Sequence, residues 1–150
     1  NQIFLIENDA FIGLENLKYL YLSYNLLKNF YSTSNLNSLK IFDLSFNLIE
    51  ILNKEMFESM KIIEKIWLKK NKLKKIEKSV FSLITNLKIL SIEYNEFEAI
   101  TFGFEKLNYI DKLNLSYNGM RILHKFLFNN SKRINLLDLS QFSKNFSKIN

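Results

Sequence analysis

Five asparagines, Asn25, Asn47, Asn71, Asn95 and Asn118, stand 22, 24, 24 and 23 residues apart, each at the same place in a recurring apolar phrase. A carboxamide both donates and accepts hydrogen bonds. Set where a chain leaves a strand and turns, it can satisfy backbone groups of its own repeat and of the adjacent one. Left buried and unpaired, those groups would cost about 1–3 kcal/mol each. The chemistry expected of this ladder is therefore backbone satisfaction and not catalysis. The rarer residue types point the same way. There is one histidine, His124, and no cysteine, so neither a metal cluster nor a nucleophile–base pair can be assembled from the usual parts. By register His124 falls just after the strand turn, off the sheet. Gly13, Gly103 and Gly119 lie far apart and form no phosphate-cradling loop. No enzyme, metal site or cofactor is expected.

The phrase that positions the asparagines is L-x-x-L-x-L-x-x-N-x-L, with copies starting at Leu17, Leu39, Ile63, Leu87 and Ile110 and a partial sixth at Ile134. A further apolar slot three residues on holds Phe30, Leu52, Ile76, Ile100 and Leu123. Six template slots in five repeats are filled without a miss, which at these residue frequencies has a chance on the order of 10⁻¹². Six residues upstream of the phrase come Phe11, Phe57, Phe81 and Phe104, with Phe128 ahead of the partial repeat and Thr33 as the exception. In the sixth copy Phe142 stands where asparagine is expected, and Asn145 follows three residues later.

These motifs resemble the leucine-rich repeat family, and in particular its longer repeat class common in animal extracellular proteins, where stacked Phe residues form a spine. The string Ala10-Phe11-Ile12-Gly13-Leu14-Glu15-Asn16-Leu17 is especially similar to that class. The resemblance implies an α/β solenoid: a curved horseshoe with a concave parallel β-sheet and short helical or irregular convex segments. Residues 1–150 are expected to form one array of about six repeats, an internal fragment without caps. In such proteins the class serves recognition in innate immunity, adhesion or matrix assembly.

Period-two alternation, as in Leu20-Tyr21-Leu22, describes a short strand whose Leu side chains point inward. The intervening residues are expected on the concave face in four columns. The first runs Tyr19, Ile41, Lys65, Ile89, Lys112, Leu136, and the second Tyr21, Asp43, Trp67, Ser91, Asn114, Asp138. The third runs Ser23, Ser45, Lys69, Glu93, Ser116, Ser140, and the fourth Tyr24, Phe46, Lys70, Tyr94, Tyr117, Gln141. Rigid aromatics are common interface anchors, so the expected partner-binding set is Tyr19, Tyr21, Tyr24, Asp43, Phe46, Lys65, Trp67, Lys69, Lys70, Tyr94 and Tyr117. Trp67, the sole tryptophan, reads equally well as an anchor or as a side chain that stiffens the sheet. The fourth-column aromatics also read as ordinary filler of this family.

A net charge of +6 arises from a strong excess of Lys over Arg, whereas nucleic-acid interfaces favour the bidentate guanidinium. No nucleic-acid partner is expected. A dense run, Lys65, Lys69, Lys70, Lys72, Lys74, Lys75 and Lys78, reads as a solvated repeat edge or as a site for an acidic protein or glycan. Glu93, Glu96 and Glu98 read as a solvated acidic edge. No apolar run approaches the roughly 18 residues a membrane helix requires. Sequons at Asn114, Asn129 and Asn145 are no more than the two or so that 20 Asn and 17 Ser or Thr produce by chance. The expected function is a non-enzymatic module that binds a protein or glycoconjugate on its concave sheet, as part of an extracellular or receptor ectodomain. The alternative is a cytoplasmic scaffold or regulatory subunit, which the absence of cysteine also permits.

Overall fold

A computed structural model describes residues 1–31, 36–101, 103–105, 107–125, 127–129 and 131–141. The apolar phrases become strands β1 (Tyr19–Tyr21), β2 (Ile41–Asp43), β4 (Lys65–Trp67), β6 (Ile89–Ser91), β8 (Tyr109–Asn114) and β10 (Arg133–Asp138). They form one six-stranded parallel sheet in the order β1-β2-β4-β6-β8-β10. A strand of three residues has too little surface to stand alone. Stacking four such strands with the two six-residue strands β8 and β10 buries one continuous core, and each repeat is held by its neighbours.

The register follows the phrase without slippage: Leu20 pairs with Phe42, Phe42 with Ile66, Ile66 with Leu90, and Leu90 with Leu113. Behind the sheet, Phe42, Leu44, Ile66, Leu68, Leu90, Ile92 and Leu113 are fully buried. The chain is thus a parallel-sheet solenoid of about five turns.

Beyond the turns of the second to fifth repeats two short lateral pairs form. β3 (Ile51–Leu52) pairs with β5 (Lys75–Ile76), and β7 (Ala99–Ile100) pairs with β9 (Ile122–Leu123). Helix is almost absent: among the described residues it amounts to one 3-10 turn, Lys54–Phe57, whose N-cap Asn53 accepts from the Met56 N–H at 3.0 Å. The convex segments are therefore the irregular rather than the helical kind.

The far side of the core carries aromatic rings. Phe57, Phe81, Phe104 and Phe128 follow one another at centroid separations of 5.5, 6.3 and 6.0 Å. Phe11 instead meets Phe30 at 6.1 Å, and Phe30 meets Phe42 at 4.8 Å. Thr33, the break in that series, lies outside the described residues, as do Phe142 and Asn145. Rings on the strand side stack at 4.0 and 4.1 Å, whereas the Phe series spaces them at 5.5 Å or more. Repeats held closer on one side than the other make a curved stack with the sheet on the inner face.

Candidate partner-binding face

The asparagines sit where strand gives way to turn, and each is buried. Asn71 shows the pattern. Its Oδ1 accepts the Ile49 N–H at 3.0 Å, and its Nδ2 donates to the carbonyls of Leu44 at 2.9 Å and Leu68 at 3.1 Å. One side chain thus ties its own repeat to the preceding one. Asn47 and Asn95 repeat this with Leu27 and Leu73 as donors at 3.0 Å, and Asn118 does so with Phe97 at 3.4 Å. Asn25 accepts from Ile3 at 3.0 Å, so Ile3 occupies the slot that Leu27 holds one repeat later.

The first and second columns lie in register across the sheet and face outward from the core. Tyr19 and Tyr21 are exposed, while Lys65 and Trp67 are half-buried. Asp43, Asn114 and Asp138 share an unforeseen local role. Each carries an Oδ1 that accepts the N–H two residues on, from Ser45 at 2.8 Å, Ser116 at 3.0 Å and Ser140 at 3.0 Å. This Asx turn closes the strand. The hydrogen bonds from Ser140 hold the Asp138 carboxyl below the usual aspartate range, the hydroxyl contributing most and the N–H next. The signal was present in the sequence as Asp-Leu-Ser or Asn-Leu-Ser at three strand ends. In the fourth repeat the polarity reverses, and the Ser91 hydroxyl donates to Glu93. Trp67, at the equivalent slot of the third repeat, has a side chain that cannot accept such a bond.

The third column departs from expectation. Ser45, Glu93 and Ser116 are buried and Lys69 is half-buried, because the inward-turning chain at the strand end covers them. Glu93 is therefore not part of a solvated acidic edge; it lies beside Lys69, with the ammonium 3.9 Å from its carboxylate. Asn114, the concave sequon, is likewise buried, and its Oδ1 is occupied by Ser116. Glu96 and Glu98 do lie exposed on the flank.

The fourth column holds its residues in the left-handed backbone region: Tyr24, Phe46, Lys70, Tyr94 and Tyr117 have φ between 51° and 56°. Their side chains line up across five repeats. Tyr24 stacks on Phe46 at 4.1 Å, and Tyr94 stacks on Tyr117 at 4.0 Å. Between these pairs the Lys70 ammonium lies 5.3 Å from the Phe46 ring and 5.5 Å from the Tyr94 ring, and Lys69 lies 5.3 Å from Tyr94. Such cation–π contacts are worth about 0.5–1 kcal/mol where exposed. The hydrogen bond with Tyr94 raises the Tyr117 phenol pKa above its ordinary value.

The structure divides the lysine run between two faces. Lys65 and Lys69 stand at the sheet with Lys70 at its rim, whereas Lys72, Lys74, Lys75 and Lys78 are exposed past the turn. A second charged row, missed from sequence, precedes the strands: Glu64 Oε2 lies 2.7 Å from Lys88 Nζ, and its Oε1 lies 3.5 Å from Lys40 Nζ. At the equivalent positions of the last two repeats, within β8 and β10, Asn135 donates to Asp111 at 2.9 Å. His124 is half-buried beyond β9 and away from the sheet. Among the described residues no group of His, Asp or Glu could hold a metal ion, and no helix is long and apolar enough to cross a membrane.

A family model described as Leucine rich repeat matches residues 1–49 and 61–120. The chain is 28% identical over 132 residues to Transforming growth factor beta activator LRRC33 of Danio rerio, covering 84% of this chain and 19% of that protein. It is 31% identical over 117 residues to Lumican of Mus musculus, covering 75% of this chain and 34% of that one. Among solved structures it superposes on the crystal structure of a TLR13-ssRNA13 complex with a TM-score of 0.75 at 30% identity, covering 93% of this chain and 21% of that one. The chain thus spans between about a fifth and a third of the length of these relatives.

Proposed function

The chain belongs to the leucine-rich repeat family, and from that premise we propose that it is a non-enzymatic recognition module that binds a protein partner on the concave face of its third repeat. Trp67 carries this reading. The equivalent slot holds Asp43, Asn114 and Asp138 in other repeats, where the side chain closes the strand end. At Trp67 that local bond is given up for a large aromatic surface. Beside it stand Lys65 and Lys69, with Lys70 at the rim among Phe46, Tyr94 and Tyr117. An aromatic anchor flanked by cations offers a desolvated contact together with a charge that steers an acidic protein surface. Tyr19, Tyr21, Tyr24 and Asp43 extend the same face toward the first repeat. We place the module in an extracellular or cell-surface ectodomain, in keeping with the Phe series and the likeness to LRRC33 and Lumican.

The test is a binding screen of chain 1–150 against secreted and receptor ectodomains, followed by variants. Trp67→Ala should weaken the identified partner by about 2 kcal/mol, roughly 30-fold, while the chain retains its fold. Lys69→Glu with Lys70→Glu should slow association and lessen its salt dependence. A partner indifferent to Trp67, Lys69 and Lys70 but sensitive to His124→Ala would move the site to the convex side. Single-stranded RNA belongs in the same screen because the TLR13 structure is a complex with it; Trp67-dependent RNA binding without a protein partner would replace the protein reading.

A further inference from the structure

Away from the concave face, the ladder beyond the turns is interrupted. β5 and β7 carry the same template slots in adjacent repeats, yet among the described residues β5 pairs only with β3 and β7 only with β9. Gly103 lies close to this break. Its φ is +123°, and a Cβ at this position would lie 2.5 Å from Cγ2 of Ile76. The chain at Gly103 therefore packs directly on Ile76. Between β5 and β7, unpaired with each other, lies an open cleft of about 560 Å³.

Four lysines line it, Lys54, Lys74, Lys75 and Lys78. Lys54 and Lys78 occupy equivalent positions in successive repeats, 15 residues past the phrase starts at 39 and 63, so the solenoid itself sets them in a row. One carboxylate, Glu77, shares the lining, and one of the lysines, Lys74, is paired with a carboxylate outside it. Glu77 accepts the Lys54 backbone N–H at 3.3 Å, and Glu96 lies 3.5 Å from the Lys74 ammonium. The floor, Ile76 and Ile100, is apolar and lowers the local dielectric, which strengthens an ionic contact made over it.

We propose that this cleft is a second binding site, for a sulfated glycan chain. Lysine presents a compact charge with rotatable donors, which suits an oxyanion that offers no fixed fork. Sulfate esters remain ionised at every physiological pH. The open walls let a linear chain pass through, and a cleft of this size lies within the range of small-ligand sites. A cleft lined by four lysines and one glutamate, with Lys74 paired to Glu96, keeps a net positive charge. It matches the dense charge of a sulfated sugar better than the carboxylates of an acidic strand, which recur on one face only every second residue. Single-stranded nucleic acid is held by aromatic stacking and arginine, and the described lining contains neither.

The site is independent of the concave reading and is tested with a different probe. A heparin hexasaccharide is titrated into chain 1–150 and followed by calorimetry at several salt concentrations. The chain should bind it, and Lys54→Glu/Lys75→Glu/Lys78→Glu should lose at least about tenfold in affinity with a shallower salt dependence. A control with equal charge change on exposed lysines elsewhere, Lys18→Glu/Lys61→Glu/Lys132→Glu, should lose less than about threefold. Circular dichroism melts check each fold, and Lys75→Gln/Lys78→Gln repeats the test without added negative charge. Equal losses in cleft and control variants would reduce the effect to net charge and overturn the site. Polyglutamate or a single-stranded RNA of matched charge competing as well as heparin would overturn the glycan assignment.

Discussion

Each ladder asparagine shows how much depends on one polar side chain in an apolar stack. Asn71 holds an amide of the preceding repeat and two carbonyls, all buried. Alanine in its place orphans the buried Ile49 N–H and removes one of two donors from each carbonyl, Leu44 O keeping Asn47 Nδ2 and Leu68 O keeping Asn95 Nδ2. Asn71→Ala should therefore destabilise by about 1–3 kcal/mol. Asn108 is exposed and outside the template; Asn108→Ala should cost about 0.5 kcal/mol or less. Urea melts compare the two, and equal small effects would refute the ladder's role. Glu64 offers a second test at this scale, because its bond with Lys88 lowers the carboxyl pKa and raises that of the ammonium. A lowered carboxyl pKa contributes stability above the ordinary glutamate range, and that share disappears as pH falls through the lowered value. The raised lysine does the reverse, losing its share as pH climbs past the ordinary lysine range. Glu64→Gln should therefore be less stable than the parent at pH 7 and converge on it as acid protonates Glu64. A gap in urea midpoint that persists under acid would assign the loss to packing instead.

At the scale of elements, strands and register were legible because apolar alternation and the repeat length both demand them. Leu20, Phe42, Ile66, Leu90 and Leu113 occupy one slot in sequence and one row in the sheet. Three features were not legible. The third column reads as outward by alternation, but the chain has already begun to turn there, so Glu93 is covered. The fourth column adopts a left-handed backbone that Gly or Asn favours. Here Tyr, Phe and Lys take it, and their side chains stack across repeats. The lateral pairs are two residues long, too short for any periodic signal, and nothing in the repeat pattern marks the break between β5 and β7. Two glycines separate strain from crowding. Gly13 has φ +84° and open space where a methyl group would stand, whereas Gly103 combines φ +123° with the Ile76 clash. Gly13→Ala should cost about 1 kcal/mol from backbone strain, and Gly103→Ala about 1–3 kcal/mol more because the methyl displaces a core residue. Thermal melts rank the two variants, and equal losses would show that Ile76 yields freely.

For the whole molecule, cooperativity follows from one-dimensional stacking. The strand-end amides of five repeats make nearly the same hydrogen bond to the next strand. Leu22 reaches Asp43 O at 2.7 Å, Leu44 reaches Trp67 O at 2.8 Å, and Leu68 reaches Ser91 O at 2.8 Å. Ile92 reaches Asn114 O at 3.0 Å, and Leu115 reaches Asp138 O at 2.8 Å. Bond geometry therefore predicts equal protection against hydrogen exchange. Neighbour coupling predicts a gradient, because each repeat is stabilised by interfaces on both sides. The core shows the asymmetry that coupling would act on. Phe42, Ile66 and Leu90 are fully buried, whereas Leu123, Leu137 and Leu139, at inward slots, are exposed at one end, as is Ile3 at the other. In chain 1–150, Leu44, Leu68 and Ile92 should exchange most slowly, with Leu22 and Leu115 faster. Raising the protein concentration should slow exchange at the outer positions first, as the exposed apolar ends associate. Uniform protection across all five amides, independent of concentration, would mean that the array behaves as one two-state unit whose ends are as well held as its centre.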